Sequence, residues 1–147
     1  MLVEFQQALA DLVASPALCR AVATAPDVLR ERYTLTDLEY RRLVTMVTHP
    51  GMTSNCVLYR ANRLAPLVLN LPDLCRALRS DLKQLLTEFW ESSANASGNF
   101  LMECDNFCRF LEQKEIEGYE LPEAARRAFE REAGALSARL EAMRTAP

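Results

Sequence analysis

Hydrophobic residues recur every three or four positions along most of this chain. Segments in which apolar and polar residues strictly alternate between two turns are scarce. This spacing is typical of amphipathic helices rather than of strands. Glycine, which weakens helices, occurs only 4 times in 147 residues. The pattern predicts an all-α fold, a single compact multi-helix bundle in one domain that spans residues 1–147.

Capping and turn residues divide this pattern into helices. Ser15-Pro16 supplies an N-cap followed by proline at the first helical position, and the residues from Thr36 to Glu39 have the spacing of a capping box. Pro50-Gly51 predicts a break, because proline disfavours helix in the residue before it and glycine permits a left-handed turn. The predicted helices span about residues 2–13, 16–23, 26–29, 37–48, 54–71, 72–78, 81–92, 100–118 and 122–144.

Two features interrupt the helical pattern. Pro66 lies inside the fifth predicted helix, where it lacks a backbone donor, and it predicts a bend near residues 62–66. Small polar residues dominate the stretch from Ser92 to Gly98 and predict a flexible loop over residues 92–99. We expect Thr53 or Ser54 to cap the helix that follows the break at Pro50.

The composition is typical of a soluble domain with a real core, since 50% of the residues are hydrophobic and 25% are charged. The formal net charge of -3 argues against a nucleic-acid partner, because a positive field normally supplies that affinity. No run approaches the roughly 18 apolar residues of a membrane span, and the N-terminus lacks a basic signal-like region. We therefore expect a cytoplasmic protein without a membrane partner.

The chain offers little equipment for catalysis. Its five cysteines form an odd set within predicted helices, which indicates reduced thiols rather than disulfides. Cys104 and Cys108 share a face with phenylalanines and leucine, so we interpret them as core residues, although a thiol-dependent enzyme using this pair is an alternative. His49 is the single histidine and has no nucleophile in a recognisable setting near it. We predict no catalytic residues, no metal ligands and no cofactor.

One segment, residues 58–67, places an aromatic, two arginines and an amide on an otherwise apolar helix. Arginine offers a planar fork for carboxylates, and tyrosine and arginine are over-represented at the energetic centres of interfaces. The alternative is that these groups hydrogen-bond internally and that both arginines pair with acids of this chain. The candidate contact residues for a partner or a peptide are Tyr59, Arg60, Asn62 and Arg63, with Arg41 and Arg42 as weaker candidates.

Residues 36–63 also match a helix-turn-helix pattern, in which a capped helix and a turn precede a helix with Arg60 and Arg63. Four arginines outnumber two acids in this segment, so its positive charge is modest. A DNA-binding regulator is therefore the alternative function.

A family resemblance adds to this pattern. It is carried by residues 35–43, by Pro50-Gly51-Met52, by Tyr59-Arg60-x-Asn62, by residues 71–75 and by Glu88-Phe89-Trp90. From about Phe5 to Leu111 the chain resembles the small helical accessory subunits of multinuclear non-haem iron-dependent oxidases. These oxidases act in the biosynthesis of ribosomal peptide natural products, and the likeness is greatest to the partner proteins of thiaglutamate-forming oxidases.

The resemblance implies a non-catalytic subunit in a heterodimer. In that family the iron belongs to the larger subunit, and the accessory protein helps recruit a precursor peptide that is modified at cysteine. A chain with one histidine agrees with this role, because it cannot supply the ligands of a multinuclear iron centre. Longer members add a β-rich peptide-binding portion, whereas this chain has the predicted helix at 122–144. A helical groove would then take the place of strand addition.

Overall fold

The computed structural model describes residues 2–92 and 99–145, and no strand occurs in these two ranges. The predicted all-α fold is confirmed. None of the described helices has both the length and the apolar character needed to cross a bilayer. Apart from its two end residues, the loop predicted at 92–99 lies outside the described ranges. The helices are α1 (Leu2–Ala14), α2 (Pro16–Thr24), α3 (Val28–Arg32), α4 (Asp37–Thr48), α5 (Gly51–Asn70), α6 (Pro72–Leu78), α7 (Asp81–Ser92), α8 (Phe100–Ile116) and α9 (Glu123–Thr145).

The predicted caps of α2 and α4 form as hydrogen bonds. The Ser15 hydroxyl accepts the backbone N–H of Leu18 at 3.1 Å. The hydroxyl of Thr36 accepts the N–H of Glu39, whose carboxylate in turn accepts the N–H of Thr36 at 2.8 Å. These bonds from Thr36 to the charged carboxylate lower the pKa of Glu39. The starts of both helices are therefore decided by local sequence.

The structure corrects two predicted boundaries. The fifth helix begins at Gly51, so neither Thr53 nor Ser54 is its N-cap. Instead, the ring nitrogen Nδ1 of His49 accepts the N–H of Gly51 at 3.0 Å, which satisfies a donor at the helix start. The third helix spans Val28–Arg32 rather than starting at Pro26. The fifth helix continues through Pro66, and the bend near that residue stays a prediction.

The helix α8 ends in a Schellman motif. The N–H of Tyr119 donates to the carbonyl of Lys114 at 2.9 Å, and the N–H of Gly118 donates to that of Glu115 at 3.0 Å. Gly118 adopts a φ of 100°, which glycine tolerates and other residues avoid. The predicted stop near Gly118 is confirmed.

The contacts of the chain divide it into two compact units. Unit 1 comprises Met1–Ala61 and Trp90–Asn95, and unit 2 comprises Asn62–Phe89 and Ala96–Pro147. Helices α5 and α7 therefore each contribute residues to both units. That the whole chain behaves as a single domain stays a prediction.

Unit 1 is built around α2, which packs against α1, α3 and α4. Leu12, Val22, Leu29 and Leu43 are completely buried in its core. The Tyr33 hydroxyl donates to the Asp11 carboxylate at 2.6 Å and joins the segment after α3 to α1. The helices α1 to α4 thus share one apolar core.

Unit 2 is built from the second half of α5 together with α6, α8, α9 and most of α7. Phe89 and Phe107 are buried with their ring centroids 5.3 Å apart, in an edge-to-face arrangement. The carboxylate of Glu132 on α9 accepts the N–H groups of Asp73 at 3.0 Å and Leu74 at 2.9 Å. The first turn of α6 is therefore capped by a residue of α9, which lies far along the chain.

Two glycines allow a matched test of the Schellman turn. Gly118→Ala should lower the free energy of unfolding by about 1–2 kcal/mol, because a Cβ is strained at this positive φ although the space is open. Gly134→Ala, within the exposed surface of α9, should raise it by up to about 1 kcal/mol. Urea denaturation of both variants measures the difference. Equal effects at the two sites would contradict the assignment of the turn.

Candidate functional site

Arg63 on α5 is buried inside unit 2 and pairs with an acid of this chain. Its Nε lies 2.6 Å from the carboxylate of Glu103 on α8, and the two side chains are only 3% and 2% exposed. The guanidinium also lies 5.2 Å from the ring centroid of Phe89. Arg63 therefore follows the alternative given in the sequence analysis, in which an arginine of this segment pairs with an acid of the same chain. It is a structural residue of unit 2 rather than a surface that a partner can reach.

Arg60, one helical turn earlier, is in a different situation. It belongs to unit 1 and is half-buried. Its guanidinium lies 5.3 Å from the ring of Trp90, within the range of a cation–π contact. No described residue accepts a hydrogen bond from its buried Nε. Leaving such a donor unsatisfied costs about 1–3 kcal/mol.

The other candidate residues lie at several places. Tyr59 is half-buried in unit 1, and Asn62 is exposed in unit 2. Arg41 and Arg42 are exposed on α4, where they line a shallow depression with Thr45 and Met46. Arg60 lines an apolar groove that the other five candidates do not line, so this groove does not gather the six residues into one site.

This groove lies between α2 and α5 within unit 1 and has a volume of about 470 Å³. Its size falls within the range of pockets that hold small ligands or anchoring side chains. Val47 at the end of α4 closes part of it. The groove is lined by Pro16, Cys19, Arg20, Ala23, Val47, Met52, Thr53, Cys56, Val57 and Arg60.

Two thiols form a neutral part of the groove wall. Cys19 and Cys56 both donate to the backbone carbonyl of Leu12, with Sγ–O distances of 3.0 Å and 3.6 Å. Burial and the neighbouring Cys56 raise the pKa of the Cys19 thiol to about 12. A protonated thiol behaves as a small apolar group, so these cysteines favour an apolar ligand rather than nucleophilic chemistry.

The sequence analysis missed Arg20 and the contribution of α2. Pro16, Arg20 and Ala23 fall on one face of α2 because they are three or four residues apart, and Met52, Cys56 and Arg60 repeat every four residues on α5. This periodicity is visible in the sequence. What the sequence does not show is that the two faces oppose each other across a groove.

The interpretation of Cys104 and Cys108 as core residues is confirmed. They are 0% and 5% exposed, and the Cys104 thiol donates to the carbonyl of Pro66 at 3.3 Å. Burial is the main cause that raises their pKa values, to about 11 for Cys104 and about 12 for Cys108. His49 is exposed and its Nδ1 is engaged by Gly51. Within residues 2–92 and 99–145, no three His, Cys, Asp or Glu residues cluster as metal ligands would.

Comparisons with known protein families, with curated proteins and with solved structures find no match to this chain. Neither a relative nor a structural neighbour therefore assigns a function to the groove. Its chemistry is inferred from the residues that line it.

Because the ion pair of Arg63 and Glu103 is buried, we expect removal of the Glu103 charge to lower the free energy of unfolding by an unusually large amount. Glu103→Gln should lower the free energy of unfolding by about 3–5 kcal/mol, because it leaves the buried charge of Arg63 without its carboxylate. Asp37→Asn removes the carboxylate of the exposed pair with Arg30 and should cost less than about 1 kcal/mol. Urea denaturation compares the two. A similar small effect at both sites would show that the Glu103 carboxylate is dispensable.

The buried thiols predict a loss of stability at alkaline pH. In the unfolded chain Cys104 and Cys108 ionise near the ordinary value of 9.0, whereas in the folded chain they stay protonated to about 11 or above. Between these values the unfolded state binds fewer protons, so stability falls as pH rises from 9 to 11. The slope per thiol is at most about 1.4 kcal/mol for each pH unit.

Urea titrations at pH 8, 9 and 10 under reducing conditions measure this slope. The variant Cys104→Ala/Cys108→Ala serves as control, and its stability should fall less steeply over the same range. An unchanged slope would mean that the two thiols ionise equally in the folded and unfolded chains.

Proposed function

We propose that this protein is a non-catalytic accessory subunit that forms a heterodimer with an iron-dependent peptide-modifying oxidase. It holds a precursor peptide, modified at cysteine, near the active site of the oxidase. Tethering of this kind raises the effective concentration of the substrate without adding a catalytic group. The iron belongs to the partner subunit, and this chain contributes binding surfaces.

The observation that carries this proposal is the groove beside Arg60. It combines an apolar wall with an arginine that forms no ion pair with a described residue, and such a combination suits a ligand with an apolar and an anionic part. Val57, which lines the groove, and its neighbour Leu58 are 62% and 61% exposed. Neighbouring exposed apolar side chains are typical of a surface that meets another protein.

The placement of the remaining residues agrees with a binding role. Tyr59, Arg60 and Asn62 stay the proposed contacts for the partner or the peptide, and the exposed Arg41 and Arg42 stay weaker candidates. Arg63 acts indirectly, since its pair with Glu103 anchors α5 in unit 2.

The DNA-binding alternative receives less support. Between Gly51 and Leu58, at the start of α5, the chain has no arginine or lysine. The exposed polar residues there are Thr53, Ser54 and Asn55, beside the exposed apolar Val57 and Leu58. Contacts to phosphates normally use basic side chains, and recognition helices place the residues of their N-terminal part against the bases. DNA binding is therefore treated as an outcome of the test below.

Co-expression with the products of the genes that neighbour its own tests the proposal, which expects an iron-dependent oxidase among them. A tagged form of this chain should recover a one-to-one complex that contains iron, and precursor peptide should be converted only when both subunits are present. Tyr59→Ala and Arg60→Ala should reduce the recovered oxidase or the conversion by at least about tenfold. Arg144→Ala, an exposed arginine on α9, is the control and should change neither.

Three results would overturn the proposal. They are isolation of this chain alone with its own stoichiometric metal, turnover of a substrate by the purified chain, and tight binding to DNA that weakens steeply with salt.

A further inference from the structure

We propose that the groove of unit 1 binds an amphipathic, acidic peptide segment, with an apolar side chain inserted between α2 and α5 and a nearby carboxylate paired with Arg60 and Arg20. This inference rests on the proposed function and names the class of peptide that the subunit would hold. It adds Arg20, on α2, to the binding residues.

The apolar part of the ligand follows from the groove wall. Met52 and Cys56 are 6% and 3% exposed and form its deepest part, and Cys19 lies beside them. The two thiols already donate to the carbonyl of Leu12. A polar group inserted here would lose water without gaining a matched partner, whereas an aliphatic or aromatic side chain would gain burial.

The anionic part follows from the charges of the groove. No acid is among the described residues that line it, and its two charged members are Arg20 and Arg60. Neither arginine forms an ion pair with a described residue, in contrast to Arg63 and Arg30. The ring of Trp90 holds the guanidinium of Arg60 in place without neutralising it. A carboxylate on the ligand would accept from the terminal N–H groups of both arginines.

The shape of the groove favours a peptide over an isolated small anion. It follows the facing sides of α2 and α5 over about two turns of each, from Pro16 to Ala23 and from Met52 to Arg60. Val57, which lines the groove, is exposed and extends its apolar wall to the surface. This arrangement suits an amphipathic helix with anchors three or four residues apart, which is a common mode of peptide recognition.

A displayed library of random 16-residue peptides tests the inference on the full chain without any oxidase. We expect the selected peptides to combine a large apolar residue with Asp or Glu within one helical turn. Ala23→Trp fills the open side of the groove and should abolish their enrichment. Dominance of neutral or basic peptides, or equal enrichment on the Ala23→Trp variant, would overturn the inference.

A charge-swap cycle on the best selected peptide tests the role of Arg60. Replacing the peptide carboxylate by the amide should weaken binding to the wild-type chain by about tenfold, measured by fluorescence anisotropy. On Arg60→Gln the same replacement should have little effect, since the partner charge is already absent. Arg32→Gln, an exposed arginine of α3 in the same unit, should leave the tenfold difference intact. Independent losses at Arg60 and at the peptide carboxylate would contradict direct pairing.

Trp90 provides a second readout, because it is the single tryptophan of the chain and contacts Arg60. The emission of Trp90 should shift when a selected peptide binds the wild-type chain. In the Ala23→Trp variant, which has two tryptophans, the total emission should not change when the same peptide is added. Urea denaturation of each variant excludes loss of folding as the cause. Failure of peptide selection would overturn the groove assignment while leaving the oxidase complex standing, and loss of the oxidase complex would leave the selected peptides standing.

Discussion

An arginine buried in a helical core requires a carboxylate, and the organisation of unit 2 depends on this requirement. Arg63 finds it in Glu103, which is 40 residues away in the chain. The next contact between these helices involves the neighbours of the pair, since the thiol of Cys104 donates to the carbonyl of Pro66. Two adjacent contacts of different chemistry fix the register of α8 against α5. A register shifted by one residue would bury both charges without a partner, which is far more costly than losing an apolar contact.

Arg60 lies one helical turn before Arg63 and would also be stabilised by a carboxylate. Within residues 2–92 and 99–145, Arg60 has an aromatic ring beside its guanidinium and no carboxylate, and we propose that a ligand supplies one. Arg60 lies in the same groove as Met52 and Cys56. A ligand that pairs with Arg60 would therefore also contact an apolar wall. The two arginines on one helix are therefore placed differently. One is paired inside the fold, and we propose the other as a binding charge.

Several charged residues of α9 contact other helices instead of only facing solvent. Glu132 caps the first turn of α6, Arg131 pairs with Asp73 at 2.7 Å, and Arg139 donates to Asn70 at 2.8 Å. These contacts attach the C-terminal helix to α6 and to the end of α5 through its polar side, and Leu136 and Leu140 of the same helix are buried. The helix is an integral part of unit 2. A peptide-binding role for unit 1 thus agrees with a C-terminal segment that is used for folding.

Much of the secondary structure could be predicted because its signals are local. The caps at Ser15 and Thr36 and the stop at Gly118 bond to groups within five residues, so the sequence alone determined where α2 and α4 begin and where α8 ends. Tertiary structure decided which arginine is neutralised and where the groove lies. Arg60 and Arg63 have the same chemistry and lie on the same helix, and only the distant Glu103 distinguishes them. A pairing between residues 40 positions apart leaves no periodic trace in the sequence, because it depends on how helices pack rather than on how each helix forms.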